Sequence, residues 1–452
     1  MSKILIFGCR KSGAALYGYL NGLSGSQVSV CDDNFDSLVD KEFFEDRAIG
    51  VEEAIRTVDE FDLVIYTPSI KRNHALLIAA KEKNVPCFNE FEYCFLNCDS
   101  EKICVTGTDG KTTTSLIIED LLRSAGISCV AVGNLGVPFS ERLASIKKND
   151  VVVAEVSSFM LEKSTVISPR IAVVTNIATD HLDWHGSFEA YRQAKANIAR
   201  FLKSDALLIL NADDDNCTFL ADVTGAEVQR FSLYRKVSNG AFYSDGCLWF
   251  SADGKTEKII ADKDMALKGE HNIQNALAAA LAAKRIGAKT TDIAVALKNF
   301  KQIPHRQERL FTVDGVLFVN DSKATTVHAT LSAIKSFKDE RLCLLLGGYD
   351  KGENFDLIFC GKDVNKADFY IFFGANRDKL AKTAFKYGVS NFLVKEKMSD
   401  AVFCGFEELK KAGGGVLLLS PSCASYDEYE NFEERGKDFC RLVKEIKNHD
   451  RV

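Results

Sequence analysis

One stretch of ten residues, Val105-Thr106-Gly107-Thr108-Asp109-Gly110-Lys111-Thr112-Thr113-Thr114, sets glycines, a lysine and a run of hydroxyls directly after an apolar, strand-like segment. Glycines let a backbone curl around an anion, a helix N-terminus offers N–H groups, Lys111 adds a mobile cation, and a threonine hydroxyl can bind Mg²⁺. The segment reads as a phosphate-binding loop, with the following helix expected to begin at Ser115. It departs from the longer nucleotide-triphosphatase pattern, because Val105 stands where that pattern has its first glycine; an ordinary strand-to-helix turn is the plainer alternative. A weaker segment, Gly8-Cys9-Arg10-Lys11-Ser12-Gly13, lies in the same kind of place, and Asp32-Asp33 follows the next strand. It is close to a dinucleotide fingerprint with Arg10 in place of the middle glycine, and a tight turn with packing glycines explains it equally well. Gly133-Asn134-Leu135-Gly136 is either a turn or a ligand-contact loop.

Carboxylates and imidazoles sit at the ends of further apolar runs. Glu155 closes Val151 to Ala154 and precedes Val156-Ser157-Ser158, while Asp180, His181, Asp183 and His185 follow Ala172 to Asn176. Ligands of open parallel sheets gather at the carboxyl ends of the strands, and oxygen donors beside a phosphate suit Mg²⁺ better than zinc. Singly, each acid or histidine reads as solvated or capping; together they read as a site. Later in the chain come His305-Arg306 beside Glu308, then Asn320-Asp321-Ser322-Lys323-Ala324-Thr325-Thr326, Leu346-Gly347-Gly348-Tyr349-Asp350-Lys351-Gly352 and Ser420-Pro421-Ser422-Cys423-Ala424-Ser425. Arg306, Lys323 and Lys351 would make this rim cationic, as a pocket for carboxylates or phosphates needs, unless each lysine is a solvated loop charge. Lys268 to Asn275 opens an alanine-rich helix, and its pair Asn272 and Asn275 also fits simple N-capping.

The elements that must position these residues are short aliphatic runs: Ile4 to Phe7, Val28 to Val30, Leu63 to Tyr66, Ile103 to Val105, Val151 to Ala154, Ala172 to Val174, Leu207 to Leu210, Val316 to Val319, Leu342 to Leu346, Tyr370 to Phe373 and Val416 to Leu419. Their apolarity is continuous rather than alternating, which predicts strands buried on both faces in mainly parallel sheets, an α/β fold. Gln229 to Asp264 differs, and its Asn239-Gly240, Asp245-Gly246 and Asp253-Gly254 pairs predict β-hairpins beside a central sheet. A length of 452 residues allows two to four domains, and polar stretches near Asn97 to Glu101 and Lys301 to His305 suggest three. The net charge of -6 gives no electrostatic case for nucleic acid or an anionic membrane as partner. No apolar stretch is long enough to span a bilayer and no signal peptide is evident, so a cytoplasmic protein is expected. The 14 cysteines have irregular spacings, lack Cys-x-x-Cys and sit mostly in apolar runs, which fits buried, reduced thiols.

Taken in order, these motifs resemble the Mur ligases, ATP-dependent amino-acid-adding enzymes of bacterial cell-wall synthesis. The likeness runs from the N-terminal glycine turn to Asn431-Phe432-Glu433-Glu434-Arg435-Gly436. Ser420 to Ser425 followed by Tyr426-Asp427 and Phe432 is similar to the D-glutamate-adding type. The Asp-Asn-Pro-Arg signature of diaminopimelate- or lysine-adding relatives is missing, and Gly-Lys-Thr replaces the Gly-Lys-Gly that folylpolyglutamate synthases favour. The resemblance implies a Rossmann-like N-terminal domain for the UDP-sugar (1–99), a central P-loop ATPase-like domain with a mainly parallel sheet and a small antiparallel β extension (100–303), and a Rossmann-like C-terminal domain for the amino acid (304–452). It implies a monomer acting on UDP-N-acetylmuramoyl-L-alanine and D-glutamate. By the same resemblance, ATP lies on Gly107, Thr108, Asp109, Gly110, Lys111, Thr112, Thr113, Asn272, Asn275, Arg306 and Asp321. Two Mg²⁺ ions are implied, one on Thr112 and Glu155, the other on His181 and a carbamylated Lys195; Lys111, His181 and Lys195 are the expected catalytic groups. The UDP-sugar falls to Ser12, Asp32, Asp33, Ser69 and Asn134, and D-glutamate to Lys323, Thr325, Lys351, Ser425 and Phe432. Three positions depart from the family pattern: Met160 for a usual Gln, Thr326 for Asn and Arg10 for Gly.

Overall fold

The computed structural model describes residues 2–38, 41–162, 164–301, 303–337, 339–350, 353–360 and 367–449. Its strands form three sheets. The first contains β1 (Ser2–Phe7), β2 (Ser26–Cys31), β3 (Leu63–Tyr66) and β4 (Cys87–Asn89), all parallel, in the order β2-β1-β3-β4. The second has nine strands: β5 (Glu101–Thr106), β6 (Cys129–Gly133), β7 (Val151–Glu155), β8 (Ile171–Val174), β9 (Leu207–Asn211), β10 (Glu227–Ser232), β11 (Gly240–Ser244), β12 (Cys247–Ala252) and β13 (Lys255–Ala261). Their order is β13-β12-β11-β10-β9-β8-β5-β7-β6. The third holds β14 (Glu308–Val313), β15 (Val316–Asn320), β16 (Leu342–Gly347), β17 (Phe369–Phe373), β18 (Phe392–Val394) and β19 (Gly415–Leu419), in the order β14-β15-β19-β16-β17-β18. All of its pairs are parallel except β14 with β15. Two compact units result, Met1–Phe300 with the first two sheets and Lys301–Val452 with the third.

Why the apolar runs are continuous is visible in where alternate residues go. In the third sheet Leu342, Leu344, Leu346, Tyr370, Phe372, Val416 and Leu418 feed one core cluster, and Cys343, Leu345, Ile371, Phe373, Leu417 and Leu419 another. Successive strand side chains point to opposite faces, so a sheet covered on both sides needs apolar residues at every position. The first sheet does the same, with Ile4, Ile6, Val28 and Val30 in one cluster and Leu5, Phe7, Val64 and Tyr66 in the other. The α/β expectation holds, with all eleven expected strands present.

Two local expectations need correction. Asn239-Gly240 does not turn a hairpin: β10 and β11 pair in parallel, with Arg230 opposite Gly240. Gly240 has φ +144, and a Cβ there would stand 1.8 Å from Arg230 O, so the glycine permits a close strand approach instead of a turn. Asp245-Gly246 and Asp253-Gly254 do turn the antiparallel hairpins β11-β12 and β12-β13, both residues of each pair having positive φ. The helix after the phosphate loop begins at Lys111, not Ser115, and runs Lys111–Ser124. Three consecutive threonines read as loop from propensity alone, yet Thr112, Thr113 and Thr114 are buried, and packing overrides their preference. Most cysteines are buried, and all are free thiols. Among the described residues no helix is long and apolar enough to cross a membrane.

Candidate active site

The phosphate loop is held by groups reaching in from adjacent strand ends. Asp109 N donates to Asn176 Oδ1 (2.8 Å), and Thr175 Oγ1 donates to Asp109 O (2.5 Å). Thr108 Oγ1 shares a hydrogen bond with Tyr191 OH at 2.9 Å. Gly110 caps the helix at φ +77, and a Cβ there would come within 2.4 Å of Asn275 Oδ1. Only glycine can therefore close the turn against that asparagine, which also accepts from Thr114 Oγ1 (3.2 Å). Asn275 is thus no helix cap; it belongs to the loop. Asn272, one turn earlier, donates to Lys268 O (2.8 Å) and stays half-exposed. Lys111 Nζ donates to Gly107 O (3.0 Å) and Thr108 O (2.7 Å), folded over its own loop.

Two of the expected groups, Glu155 and Lys195, converge on this loop, and His181 stands nearby across the Tyr191 ring. Glu155, buried at the end of β7, accepts from Thr112 Oγ1 on one oxygen (2.6 Å) and from Asn134 Nδ2 on the other (2.8 Å). Lys195 is 1% exposed and donates to Gly107 O (2.7 Å) and Thr106 Oγ1 (3.4 Å). Burial, and then the Lys111 cation, push its ammonium well below the usual lysine range. Lys195 is therefore biased toward a neutral, nucleophilic amine, the form that takes up CO₂. His181 is exposed, has a left-handed backbone (φ +50) and sets Nε2 3.3 Å from Asp180 Oδ2. The Tyr191 ring is common to both, 4.8 Å beneath Lys195 Nζ and 6.4 Å from the His181 ring. His185 faces Ser158 Oγ instead (3.0 Å). The Asp183 side chain lies outside the described residues.

Among the described residues, no three His, Cys, Asp or Glu side chains cluster closely enough to hold a metal by themselves. Mg²⁺ takes one or two protein oxygens and completes its shell with water and substrate phosphates. A hydroxyl and a carboxylate 2.6 Å apart at a helix N-terminus are such a donor pair.

A cavity of about 390 Å³ opens in the same unit, lined by Arg10, Lys11, Ser12, Thr67, Pro68, Ser69, Gly133, Asn134, Gly136, Pro138, Ser157, Phe159, Met160 and Trp184. It brings Ser12, Ser69 and Asn134 together. Asp32 and Asp33 are not in its lining: Asp32 accepts from Cys9 N (2.7 Å) and Asn34 N (2.8 Å), shaping the turn, and Asp33 pairs with His74 Nε2 (3.2 Å). The apolar wall of Phe159 and Trp184 was not singled out from sequence, because no spacing links residues from different loops.

In the second unit, Asp321 follows β15 and is buried, accepting from Ser420 Oγ (2.8 Å) and Gln307 N (3.1 Å). Burial pushes its pKa up to about 7 against the opposing pull of Arg306. Lys323 Nζ lies over the Phe432 ring at 5.3 Å, and Phe432 O accepts from Ser322 Oγ (2.8 Å). Thr325 and the buried Ser425 stand on the same two loops as these groups. Lys351 lies outside the described residues. Cys423 is buried, and its thiol is raised to about 12, which fits packing and no nucleophilic role. Sequence reasoning missed Arg435, which is 1% exposed. Its guanidinium donates to Ser322 Oγ (3.0 Å), Ser322 O (2.9 Å), Cys423 O (3.0 Å) and Ala424 O (3.1 Å), joining the two loops. The clue available was an arginine on the buried face of an amphipathic helix, Phe432–His449.

A phosphate loop at the edge of a mainly parallel sheet, with a buried carboxylate and a buried lysine against it, defines a nucleotide-using enzyme of the Mur ligase class; the family model for the Mur ligase middle domain matches residues 105–283. More narrowly, the chain belongs to the family of the UDP-N-acetylmuramoylalanine–D-glutamate ligases. It is 37% identical to the one from Lactococcus lactis subsp. lactis (strain IL1403) over 452 residues, 98% of each chain. The fold is shared with UDP-N-acetylmuramate–alanine ligase MurC from Thermotoga maritima (TM-score 0.60, 20% identity, 99% of this chain and 100% of that one). It is also shared with the MurF ligase from Thermotoga maritima solved with ADP (TM-score 0.59, 17% identity, 98% of this chain and 95% of that one).

Proposed function

We propose that this chain joins D-glutamate to the terminal carboxylate of UDP-N-acetylmuramoyl-L-alanine, converting ATP to ADP and phosphate, as a monomer in cytoplasmic peptidoglycan precursor synthesis. The observation that carries the reading is the convergence of Lys111, Thr112, Glu155 and Lys195 on one phosphate loop, in a chain whose full-length relatives are D-glutamate ligases. Residues 1–99 are assigned to the UDP-sugar, 100–303 to ATP and 304–452 to the amino acid.

The carboxylate oxygen of the UDP-sugar substrate attacks the γ-phosphorus of ATP, the bond to the β-phosphate oxygen breaks, and ADP leaves an acyl phosphate. The amine of D-glutamate then attacks the acyl carbon. The tetrahedral intermediate loses a proton from nitrogen and expels phosphate, leaving the amide. Lys111 turns from its own loop carbonyls onto the β- and γ-phosphates, whose remaining oxygens meet the N–H groups of the Lys111–Ser124 helix. Thr112 and Glu155 would hold one Mg²⁺, and His181 with a carbamylated Lys195 a second. When bound, these ions offset charge on the transferring phosphoryl group. Asn275 and Asp321, with Asn272 and Arg306, are assigned to the nucleotide. Lys323, Thr325, Ser425, Phe432 and Lys351 are assigned to D-glutamate. Ser12, Ser69 and Asn134 are assigned to the UDP-sugar, as are Asp32 and Asp33, whose hydrogen bonds give them a turn-shaping part.

The test is ATP-dependent phosphate release with UDP-N-acetylmuramoyl-L-alanine across a panel of amino acids. Turnover with D-glutamate is expected. Its absence, or preference for another amino acid, would overturn the reading.

A further inference from the structure

Phe159 stands where the cavity of the first unit meets the phosphate loop. It lies in the short helix Ser158–Leu161 after β7, half-buried, and lines the cavity beside Trp184. Its ring centroid is 4.7 Å from Trp184 and 4.8 Å from His181, and it stacks on His185 at 5.8 Å with 3° between the planes. His185 packs edge-on against Tyr191 at 5.4 Å, and the Tyr191 hydroxyl is hydrogen-bonded to Thr108 of the loop. His181 is exposed, its backbone is left-handed, and its imidazole touches Asp180 and the Phe159 ring. A ligand that fixes Phe159 would press on the His181 ring packed against it at 4.8 Å.

We infer that Phe159 is a positioning residue that ties occupancy of the cavity to the orientation of His181, so that sugar-nucleotide and ATP bind with positive coupling. The inference rests on the reading that the cavity takes the UDP-sugar. Phe159 is half-buried and lines the cavity, where a ligand would cover it. The first ligand then bears the cost of ordering the ring cluster, and the second binds to a cluster already ordered. By linkage, each substrate tightens the other by the same factor.

The experiment is calorimetric titration of Mg·AMP-PNP into the protein with and without saturating UDP-N-acetylmuramoyl-L-alanine, for the unaltered chain, Phe159→Leu and Phe159→Tyr. Allosteric couplings usually reach about fivefold or more, and that tightening is expected for the unaltered chain and for Phe159→Tyr, which keeps the ring. Phe159→Leu keeps apolar bulk but not the flat ring, so, whatever it costs the UDP-sugar in affinity, the ratio of Mg·AMP-PNP affinities with and without saturating UDP-sugar should fall to about one. A spectroscopic reading accompanies it: with ¹³Cε1-labelled histidine, the UDP-sugar alone should shift the His181 resonance in the unaltered chain, and this needs no variant to fold. Coupling retained in Phe159→Leu, no coupling in the unaltered chain, or an unmoved His181 resonance would each overturn the inference. Failure of the unaltered chain to bind the UDP-sugar at all would instead overturn the functional reading beneath it.

Discussion

In the phosphate loop of the first unit, side chains hold backbone from outside: Asn176 and Thr175 grip Asp109, and Asn275 closes on Gly110. The Lys111 ammonium rests on the loop carbonyls Gly107 O and Thr108 O, and the buried Lys195 amine on Gly107 O. In the serine-rich rim of the second unit, a single buried guanidinium, Arg435, holds the carbonyls of Ser322, Cys423 and Ala424. Burial lowers its pKa to about 10, so it keeps its charge at neutral pH. The first arrangement leaves Lys111 able to turn onto an incoming phosphate. The second ties its cation up in loop architecture, and ligand contact is proposed for other residues such as Lys323. Substitutions should separate the two roles, with the first unit affecting turnover and the second affecting amino-acid affinity and stability.

The largest expected effect is at Lys111. Removing one preorganised electrostatic group from a transferring centre costs about 10²–10³ in rate, so Lys111→Ala should lower kcat for phosphate release by that order with little change in KM for D-glutamate. A KM effect without a kcat effect would place the lysine in amino-acid binding and break the comparison. Next comes Lys195→Ala, which should lose most activity and regain part of it when short carboxylic acids are added, because these resupply the anionic oxygen that a carbamate would bring. Full activity without rescue would refute the carbamate.

Arg435 should behave differently. Arg435→Met takes the guanidinium from the Ser322 and Cys423 carbonyls, while Ala424 O keeps the Tyr349 N–H, at about 1–3 kcal/mol for each unsatisfied group less whatever the relaxed loops recover. A net loss of roughly 2–4 kcal/mol is expected in urea unfolding, together with a raised KM for D-glutamate and unchanged binding of ATP analogues. If ATP affinity fell as much as D-glutamate affinity, Arg435 would not be specific to the rim.

The same contrast explains what was legible in the sequence. The phosphate loop is contiguous: glycine, lysine and threonine spacing carries its chemistry in one window, and the strand before it is a continuous apolar run. Glu155 was legible from its place at the end of an apolar run, whereas Lys195 joins from a helix and only the likeness to a known family brought it in. The rim is assembled from segments about a hundred residues apart, and Ser322 meets Arg435 at 113 residues of separation. Such a contact leaves no local period or motif to read. The strands missed from sequence, β4, β6, β14 and β18 among them, are short or carry partly exposed residues, so they lack the unbroken apolar run of a doubly covered strand. The Asp314-Gly315 turn between β14 and β15, with φ of +46 and +79, was a readable hairpin signal that went unused.

The smallest expected effect sharpens the comparison through pH. Asp321 is buried, and its pKa is pushed up to about 7 by burial, although Ser420, Gln307 and Arg306 pull the other way. Between the ordinary carboxylate range and pH 7, the folded chain therefore holds a proton that the unfolded chain has released. The folded state binds more protons there, so stability is full on the acid side and declines as pH rises through about 7. A tenfold difference in proton affinity between the folded and unfolded chain corresponds to about 1.4 kcal/mol at most. About two such tenfold steps lie between pH 5 and 7, and partial solvation of the ionised form reduces their sum, so a decline of roughly 1–3 kcal/mol is expected between pH 5 and 8. Asp321→Asn retains one acceptor for Gln307 N and gains a donor toward the Ser420 hydroxyl, but it cannot ionise. Urea unfolding followed by circular dichroism should show a flatter pH profile for this variant than for the unaltered chain. Parallel profiles would mean that Asp321 is ionised throughout, and the second unit would then hold an anion beside Arg306 at neutral pH, ready-made competition for the phosphates that the arginine is assigned to meet.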